Sequence, residues 1–594
     1  MSATSRRPGG YMVDPGSLVL WTLLATLLLA VGTTSAAVHL GNRLGGGGSA
    51  PANPFELVIG LARGTVAWPP AATTTLAGLL GIGAAIGALV VYAVRRRARR
   101  PRVDRAAKRM GRVRELDAVR RKGAAATAAR LGGAHAVGLP IGQTVKGDEP
   151  LFQSWEDVSV DIWGPRTGKT TSRAVPAILE SPGAVLATSN KRDVVDATRG
   201  PRAAAGPIWV FDPQDIVGEQ PTWWWNPLTY VTDEVKAVIM AEVFAAASRD
   251  QRAQTDAYFD TAGQTLLANL LLAAAAAGRT ITQVYLWLTM PTDDEPVIIL
   301  HGHGHELAAA AVAGIVHAPE KQRGGVYGTA QQISSFLTNQ RALRWVAPTG
   351  PADGRPQLDP AELVRSGGTL YSLSKEGRGS AGPLVTALTV AVTEAAEELA
   401  KTSAGGRLPV PMVAVLDEAA NVCRWPELPN LYSHYGSRGI CMMTILQSWS
   451  QGVEVWGRDG MRKLWSAANI KVYGGGVSEV EFLNEPSQLV GDYDLHSVNH
   501  SYGHGGRTSS YSTRPDRVLD VAALGAMPRG RAVLFASGLP PTLVRPLPWM
   551  AGRHAKAVRR SLKEHDPQAT RTIAEATGSL AEIEAGEAGT WTRS

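Results

Sequence analysis

Residues 163–171 read Trp-Gly-Pro-Arg-Thr-Gly-Lys-Thr-Thr and follow directly on the strand-like run 158–162. A strand that enters a Gly-rich turn closed by Gly168-Lys169-Thr170 ties residue type to chemistry. The backbone N–H groups of such a turn wrap a polyphosphate, so Gly164, Pro165, Arg166, Thr167, Gly168, Lys169, Thr170 and Thr171 form the candidate cradle. In that reading Lys169 reaches the β/γ-phosphates and the Thr170 hydroxyl holds Mg²⁺. The segment 172–179 is expected to be a helix whose N-terminus adds positive potential to the same place. The strict pattern puts its first Gly at position 163, where this chain carries Trp163, with Gly164 one position late. The competing reading is an ordinary strand–helix turn that carries Gly-Lys-Thr.

A second cluster supplies carboxylates. The apolar run 413–416 ends in Asp417-Glu418. A buried strand would deliver both to its C-terminal edge, where α/β sheets bind ligands. Asp417 is placed to hold Mg²⁺, directly or through water, and Glu418 to orient or deprotonate an attacking water. An apolar run followed by Asp-Glu is common on its own; its pairing with Gly168-Lys169-Thr170 is what gives it weight. Further on, a strand-like run ends at Gln447, which could sense a γ-phosphate or position water. Arg438 precedes that strand, at its opposite edge, where it could face a neighbouring subunit as an arginine finger or stand as a surface charge.

The elements that must position these groups follow from the pattern around them. Short apolar runs at 158–162, 184–188, 207–211, 369–373, 413–416, 442–446 and 470–473 alternate with helical stretches. That alternation predicts an α/β fold with a mostly parallel sheet and helices on both faces. Between 231 and 344 the strand signal stops, and 234–247, 257–277, 281–288 and 306–316 read as helices, an all-α insertion. Residues 496–514 are rich in Gly, Ser and His and read as a mobile loop; the end of the chain, poor in large apolar residues, reads as a frayed tail.

Two uncharged stretches near the N-terminus, 17–38 and 72–94, are each long enough as a helix to cross a hydrocarbon core of roughly 30 Å. Arg6 and Arg7 precede the first; Arg95, Arg96, Arg97, Arg99, Arg100 and Arg102 follow the second. The positive-inside rule then puts both ends in the cytoplasm of a two-pass inner or plasma membrane protein, with membrane lipid as a partner. Small residues of the second stretch (Gly78, Gly81, Gly83, Ala84, Gly87) either pack on another helix or reflect Ala/Gly-rich composition. The basic stretch 95–122 reads as a stop-transfer flank and solvated helix, with lipid or DNA contact as the alternative.

The expected organisation is therefore a cytoplasmic N-terminus (1–16), two transmembrane helices (17–39 and 72–94) and an extracytoplasmic loop between them (40–71). A basic connector follows (95–150), then a P-loop ATPase domain in two parts (151–230 and 345–553). The all-α insertion (231–344) divides that domain, and a flexible tail (554–594) ends the chain. The net charge of +8 favours an anionic partner. With only Cys423 and Cys441, neither a disulfide framework nor a cysteine zinc cluster is available, and a reducing compartment is the natural setting. His301, His303 and His305 alternate with Gly and lack the acidic or Cys partners of a metal site. Trp223, Trp224 and Trp225 read as buried at a domain junction, with base stacking as the alternative.

The ordered set WGPRTGKTT, TSNKRD, VFDPQD, WWWNPL, DAYFDTAGQTLLANLL, LYSLSKEG, VAVLDEAANV, GSRGI and ILQSWSQGVEVWG resembles the type IV secretion coupling proteins, the TraG/TraD-like conjugative DNA transfer ATPases. The resemblance runs over about 150–550. Its most specific part is LDEAANV followed by LQSWSQ, and Trp163 stands where the family carries Gly or Ala. It implies a RecA-like P-loop domain, ATP and Mg²⁺ as ligands, and a membrane-anchored homo-hexamer. It further implies delivery of DNA, a single strand with bound relaxase, to type IV secretion channel proteins. By the motif matches it implies nucleotide-site roles for Lys169, Thr170, Asp417, Glu418 and Gln447, and a trans finger at Arg438. Lys191 and Asp212 lie in matching motifs without an assigned chemistry. Two other functions fit the same chain: a double-stranded DNA translocase of the chromosome-segregation type, and a membrane receptor or scaffold for protein cargo with a vestigial ATPase.

Overall fold

The seven apolar runs become seven parallel strands of one sheet. The computed structural model describes residues 15–45, 48–98, 101–131, 137–248, 257–375, 381–503 and 506–586. The chain divides into two units, one holding the N-terminal residues up to 100 and the other Pro101–Gly586.

In the larger unit the strands are β1 (Leu139–Thr144), β2 (Pro150–Gln153), β3 (Ser159–Ile162), β4 (Val185–Ser189), β5 (Ile208–Phe211), β6 (Thr369–Leu373), β7 (Met412–Leu416), β8 (Ile440–Leu446), β9 (Ile470–Tyr473), β10 (Asp492–Gly503), β11 (Gly506–Arg517), β12 (Ala532–Ala536) and β13 (Thr542–Arg545). Eleven of them form one sheet in the order β2-β1-β13-β12-β9-β3-β8-β7-β4-β6-β5. From β9 to β5 every neighbouring pair is parallel; from β9 to β2 every pair is antiparallel. Strands β4, β6, β7 and β8 are buried at every position, as a sheet covered on both faces requires. The order places β8 between β3 and β7, so the loops after those three strands share one edge of the sheet.

The long excursion between β5 and β6 is helical, with helices at Glu234–Ser248, Ala257–Ala276, Ile281–Thr289, Glu295–Gly302, Glu306–Val316 and Glu320–Ile333. Where it leaves the sheet, Trp223 packs against Trp209, Phe211 and Trp345 at ring separations of 5.2, 6.0 and 5.4 Å. Trp223 and Trp225 are buried there.

Three segments differ from the sequence reading. The described residues of the predicted connector from 101 on fold with the larger unit, with helix Arg121–Arg130 and strands β1 and β2 among them. The reason lies in small apolar residues hidden among the charges, Val103, Ala106, Ala107 and Met110, which enter the main core. The buried Asp104 receives two bonds from Arg531, at 2.8 and 3.0 Å. Residues 496–503 and 506–514 lie on the two strands of a regular hairpin, paired from Asp492↔Arg517 to Gly503↔Gly506. Alternating Tyr, Ser and Thr support a ribbon without an apolar run. The stretch after 554 is not frayed, since helices Ala555–His565 and Ala569–Gly586 dock on the sheet domain. Val558 and Leu562, one helical turn apart, pack with Val175, Ala197, Trp549 and Met550. Residues 587–594 of that predicted tail lie outside the described residues.

In the N-terminal unit, helices Pro15–Gly45 and Pro70–Ala98 contain the two apolar stretches, and Leu23–Gly45 and Pro70–Leu89 are long and apolar enough to cross a membrane. Leu23, Leu27, Leu28, Leu80, Ile82 and Leu89 are exposed, as lipid-facing side chains are. The two helices meet at Gly41, where a Cβ would lie 2.7 Å from the Ala72 nitrogen, and the Thr75 hydroxyl donates to the Ala37 carbonyl at 3.0 Å. A Cβ on Gly78, Gly81, Gly83 or Gly87 would meet nothing within 4 Å among the described residues. Arg6, Arg7, Arg99 and Arg100 lie outside the described residues.

Candidate nucleotide site

Strand β3 ends at Ile162, and the next two residues extend its ladder. The Trp163 N–H donates to the Leu446 carbonyl and the Gly164 N–H to the Gly475 carbonyl, both at 2.9 Å. A Cβ on Gly164 would fall 2.0 Å from the Gly476 carbonyl oxygen, so only Gly fits there. Trp163 is buried among Ile141, Leu151, Val472, Leu534 and Val544. Its indole lies over Gly474, where a Cβ would approach it to 2.0 Å. The residue that breaks the strict motif is thus matched by glycines after β9 and props the loop from the core side.

Arg166 (φ 58°) and Gly168 (φ 94°) take left-handed conformations. Such changes of hand turn successive N–H groups toward one point. The N–H groups of Arg166, Thr167, Gly168 and Lys169 meet no backbone acceptor among the described residues. The Thr167 hydroxyl donates to the Gly164 carbonyl at 2.6 Å and the Thr171 hydroxyl to that of Gly168 at 3.1 Å, closing the loop on itself. The chain continues through a π-turn, Thr170–Ala174, into helix Val175–Glu180, which lengthens the predicted helix at its start. The buried Arg173 anchors this turn: it bonds Asp161 of β3 at 2.6 Å and the Pro140 carbonyl of β1 at 2.7 Å.

The Asp417-Glu418 pair follows β7 and faces this loop. Lys169 Nζ lies 3.1 Å from Asp417 Oδ1 and forms an ion pair with Glu418. The Thr170 hydroxyl is 3.5 Å from Asp417 Oδ2. Gln447, just past β8, donates through Nε2 to both Glu418 oxygens at 2.5 Å, and Asn421 Nδ2 donates to Glu418 Oε2 at 3.3 Å. Glu418 itself sits in the left-handed region (φ 56°), a strained choice for a residue with a Cβ. Burial pushes the Asp417 carboxyl up to about 6; the Lys169 ammonium opposes this while Asp193 and Glu418 reinforce it. Burial works against the charge on Lys169, but Asp417 and Glu418 override it and hold its pKa above the ordinary lysine value.

Sequence reasoning left Asp193 out. It follows β4, the strand beside β7, and its negative charge raises Asp417. Its own carboxyl is pushed up by burial, with Lys191 and Lys169 opposing. The role of Asp212 is structural. Its carboxylate accepts the N–H groups of Ile216, Val217 and Gly218 at 2.7, 2.9 and 3.1 Å and pins the loop after β5. Lys191 is exposed. Arg438 stands apart. It precedes β8, whereas Gln447 follows it, and the seven residues of that strand span about 23 Å. Its guanidinium bonds the Gly406 carbonyl at 3.0 Å. Two of the histidines pair elsewhere, His301 with Glu306 and His305 with Glu234; among the described residues no metal-binding group of three or more forms.

The donor set suits a magnesium-bound polyphosphate: a nest of N–H groups, a lysine, a hydroxyl beside a buried carboxylate, and an Asp417 Oδ1 that meets only the Lys169 ammonium among the described residues. A Gly-Lys-Thr loop after one parallel strand, facing an Asp-Glu pair two strands away, defines a P-loop nucleotide-binding domain of the RecA-like kind.

Comparison narrows the class. Residues 128–347 match the family model described as type IV secretory system conjugative DNA transfer, and residues 411–529 match the TraM recognition site of TraD and TraG. The bacterial conjugative coupling protein TrwBdeltaN70 shares the fold. Its unbound monoclinic form has a TM-score of 0.51 at 16% identity over 68% of this chain and 88% of its own. Its trigonal form, in complex with sulphate, gives 0.51 at 17% identity over 71% and 92%. No curated protein matches the chain in sequence. The chain belongs to the type IV secretion coupling proteins, the TraG/TraD-like family that serves conjugative DNA transfer.

Proposed function

We propose that the chain is an ATP-hydrolysing motor, anchored by two spans in the inner or plasma membrane with both termini in the cytoplasm. It delivers DNA, a single strand with bound relaxase, to the channel proteins of a type IV secretion system. The observation that carries the motor reading is the meeting of Lys169, Asp417, Glu418 and Gln447 at one sheet edge. Lys169 and the N–H groups of residues 166–169 hold the phosphates. Thr170 and Asp417 would hold Mg²⁺, which neutralises phosphate charge when bound. Glu418 takes the proton of the attacking water, and Gln447 orients the Glu418 carboxylate.

Lys169 pairs with the two carboxylates. Phosphate binding must draw it away and thereby release Glu418 for base chemistry. Arg438 cannot serve the site of its own chain at a distance of about 23 Å. In a hexamer it serves the neighbour's. Trp163, the residue that departs from the strict motif, has its indole in the core rather than in the phosphate cradle and so gives no support to a vestigial ATPase. The test is Lys169→Ala in a mating assay. Transfer should fall to background at normal protein levels; undiminished transfer would contradict the proposal.

A further inference from the structure

The C-terminal helix Ala569–Gly586 comes within one arginine side chain of the phosphate loop. Ile573, Ala576 and Leu580 pack with Val175, the first residue of the helix that follows the loop, and with Trp549 and Val558. One turn later, Ile583 lies on Gly530, where a Cβ would come within 2.7 Å of its Cγ2. Gly530 lies in the turn before β12, at the sheet edge that carries the loop. Arg529 in this turn has its Nε 3.9 Å from where a Cβ of Gly168 would be, next to the hydroxyls of Thr171 and Ser172 at 3.5 and 3.7 Å from the same point. The Arg529 side chain is 36% exposed, and its ion pair is with Glu582 of the C-terminal helix, at 3.4 Å.

We infer that Arg529 is a phosphate-contacting residue of the nucleotide site and that Glu582 competes for it as a weak latch. The inference rests on the nucleotide reading above. Arg529 adds a cation beside the Gly168 turn, and among the described residues no ion pair joins it to Asp417 or Glu418, unlike Lys169. The Glu582 side chain is 74% exposed. A pair so wetted shifts an equilibrium by about fivefold at most. A polyphosphate, with several charges held in a sheltered loop, outcompetes it. The latch therefore tunes affinity and ties the nucleotide state to the seating of the C-terminal helix.

The test uses the full chain in nanodiscs and a ribose-labelled fluorescent ATP analogue. Arg529→Ala should weaken ATP binding about tenfold, the loss of one charge-assisted hydrogen bond, and leave adenosine binding unchanged. Arg529→Lys should restore most of the affinity. Glu582→Gln should tighten ATP binding about two- to fivefold, and the double variant should match Arg529→Ala alone. Lys169→Ala separates the two claims. If it binds ATP as well as the parent chain, the nucleotide reading itself fails. If it loses ATP while Arg529→Ala stays within twofold of the parent, the role of Arg529 alone is overturned. Additive effects of the two single changes would remove the latch.

Discussion

Glu418→Gln separates binding from chemistry at this site. Glu418 is buried and accepts from Lys169, Gln447 and Asn421, while Asp417 keeps a second contact to Lys169 at 3.1 Å. Gln has the same size; with its oxygen turned to Lys169 it keeps that contact, while its NH₂ group needs the Gln447 and Asn421 amides to turn their oxygens toward it. What is lost is one negative charge. Two charges about 4 Å apart interact by roughly 4 kcal/mol at an effective dielectric of 20. Desolvation cancels most of that for a buried pair, which leaves about 1–2 kcal/mol holding Lys169 on Glu418. Removal of that restraint should tighten ATP binding about five- to thirtyfold. Loss of the base should lower turnover about 10²–10⁴-fold. Both numbers come from one preparation of the full chain, by a coupled phosphate-release assay and displacement of a fluorescent ATP analogue. Turnover within threefold of the parent, or ATP binding weakened tenfold, would refute the assignment.

Two further predictions concern the same loop. Trp163→Gly, which restores the strict motif, should cost about 3–5 kcal/mol by emptying a core position and should bring no gain in ATP affinity. A thermal-shift series with parallel binding assays checks this, and a stable variant with tighter binding would contradict the packing role. The Asp417 carboxyl, pushed up to about 6, should make Mg²⁺-dependent ATP binding pH-sensitive. A metal needs the carboxylate, so affinity should be level above pH 7 and fall as pH drops through 6, approaching tenfold per unit below it. The same group acts oppositely on the nucleotide-free fold. Its folded pKa is raised, so its unfavourable charge is relieved as pH falls from above 6 toward the unfolded value. A pH-independent Mg²⁺ requirement from pH 5 to 7.5 would contradict this placement of Asp417.

The parallel half of the sheet was legible because both its faces are covered. Runs such as Met412–Leu416 and Ile440–Leu446 are apolar at nearly every position, and their boundaries show. The antiparallel half was not. β1 contains Pro and Gly and β2 begins with Pro; β1 takes its place from pairing with β13, which is remote in sequence, and β2 pairs with β1. The phosphate loop and Asp417-Glu418 stand out because their chemistry demands particular residue types. The role of Trp163 did not, because it depends on Gly474, Gly475 and Gly476 some 300 residues away in the chain, and nothing local connects them. Arg529 escaped for the same reason. It approaches Gly168 because β12 runs antiparallel to β9, which pairs in parallel with β3, so the turn before β12 falls at the sheet edge that carries the phosphate loop.

The most direct test of the motor is ATP turnover by the full chain in nanodiscs, with and without single-stranded DNA. A motor built on this site should show turnover that DNA stimulates and that Lys169→Ala and Glu418→Gln each abolish. A verified oligomer with no turnover in the presence of DNA and Mg²⁺, or turnover indifferent to both substitutions, would contradict it.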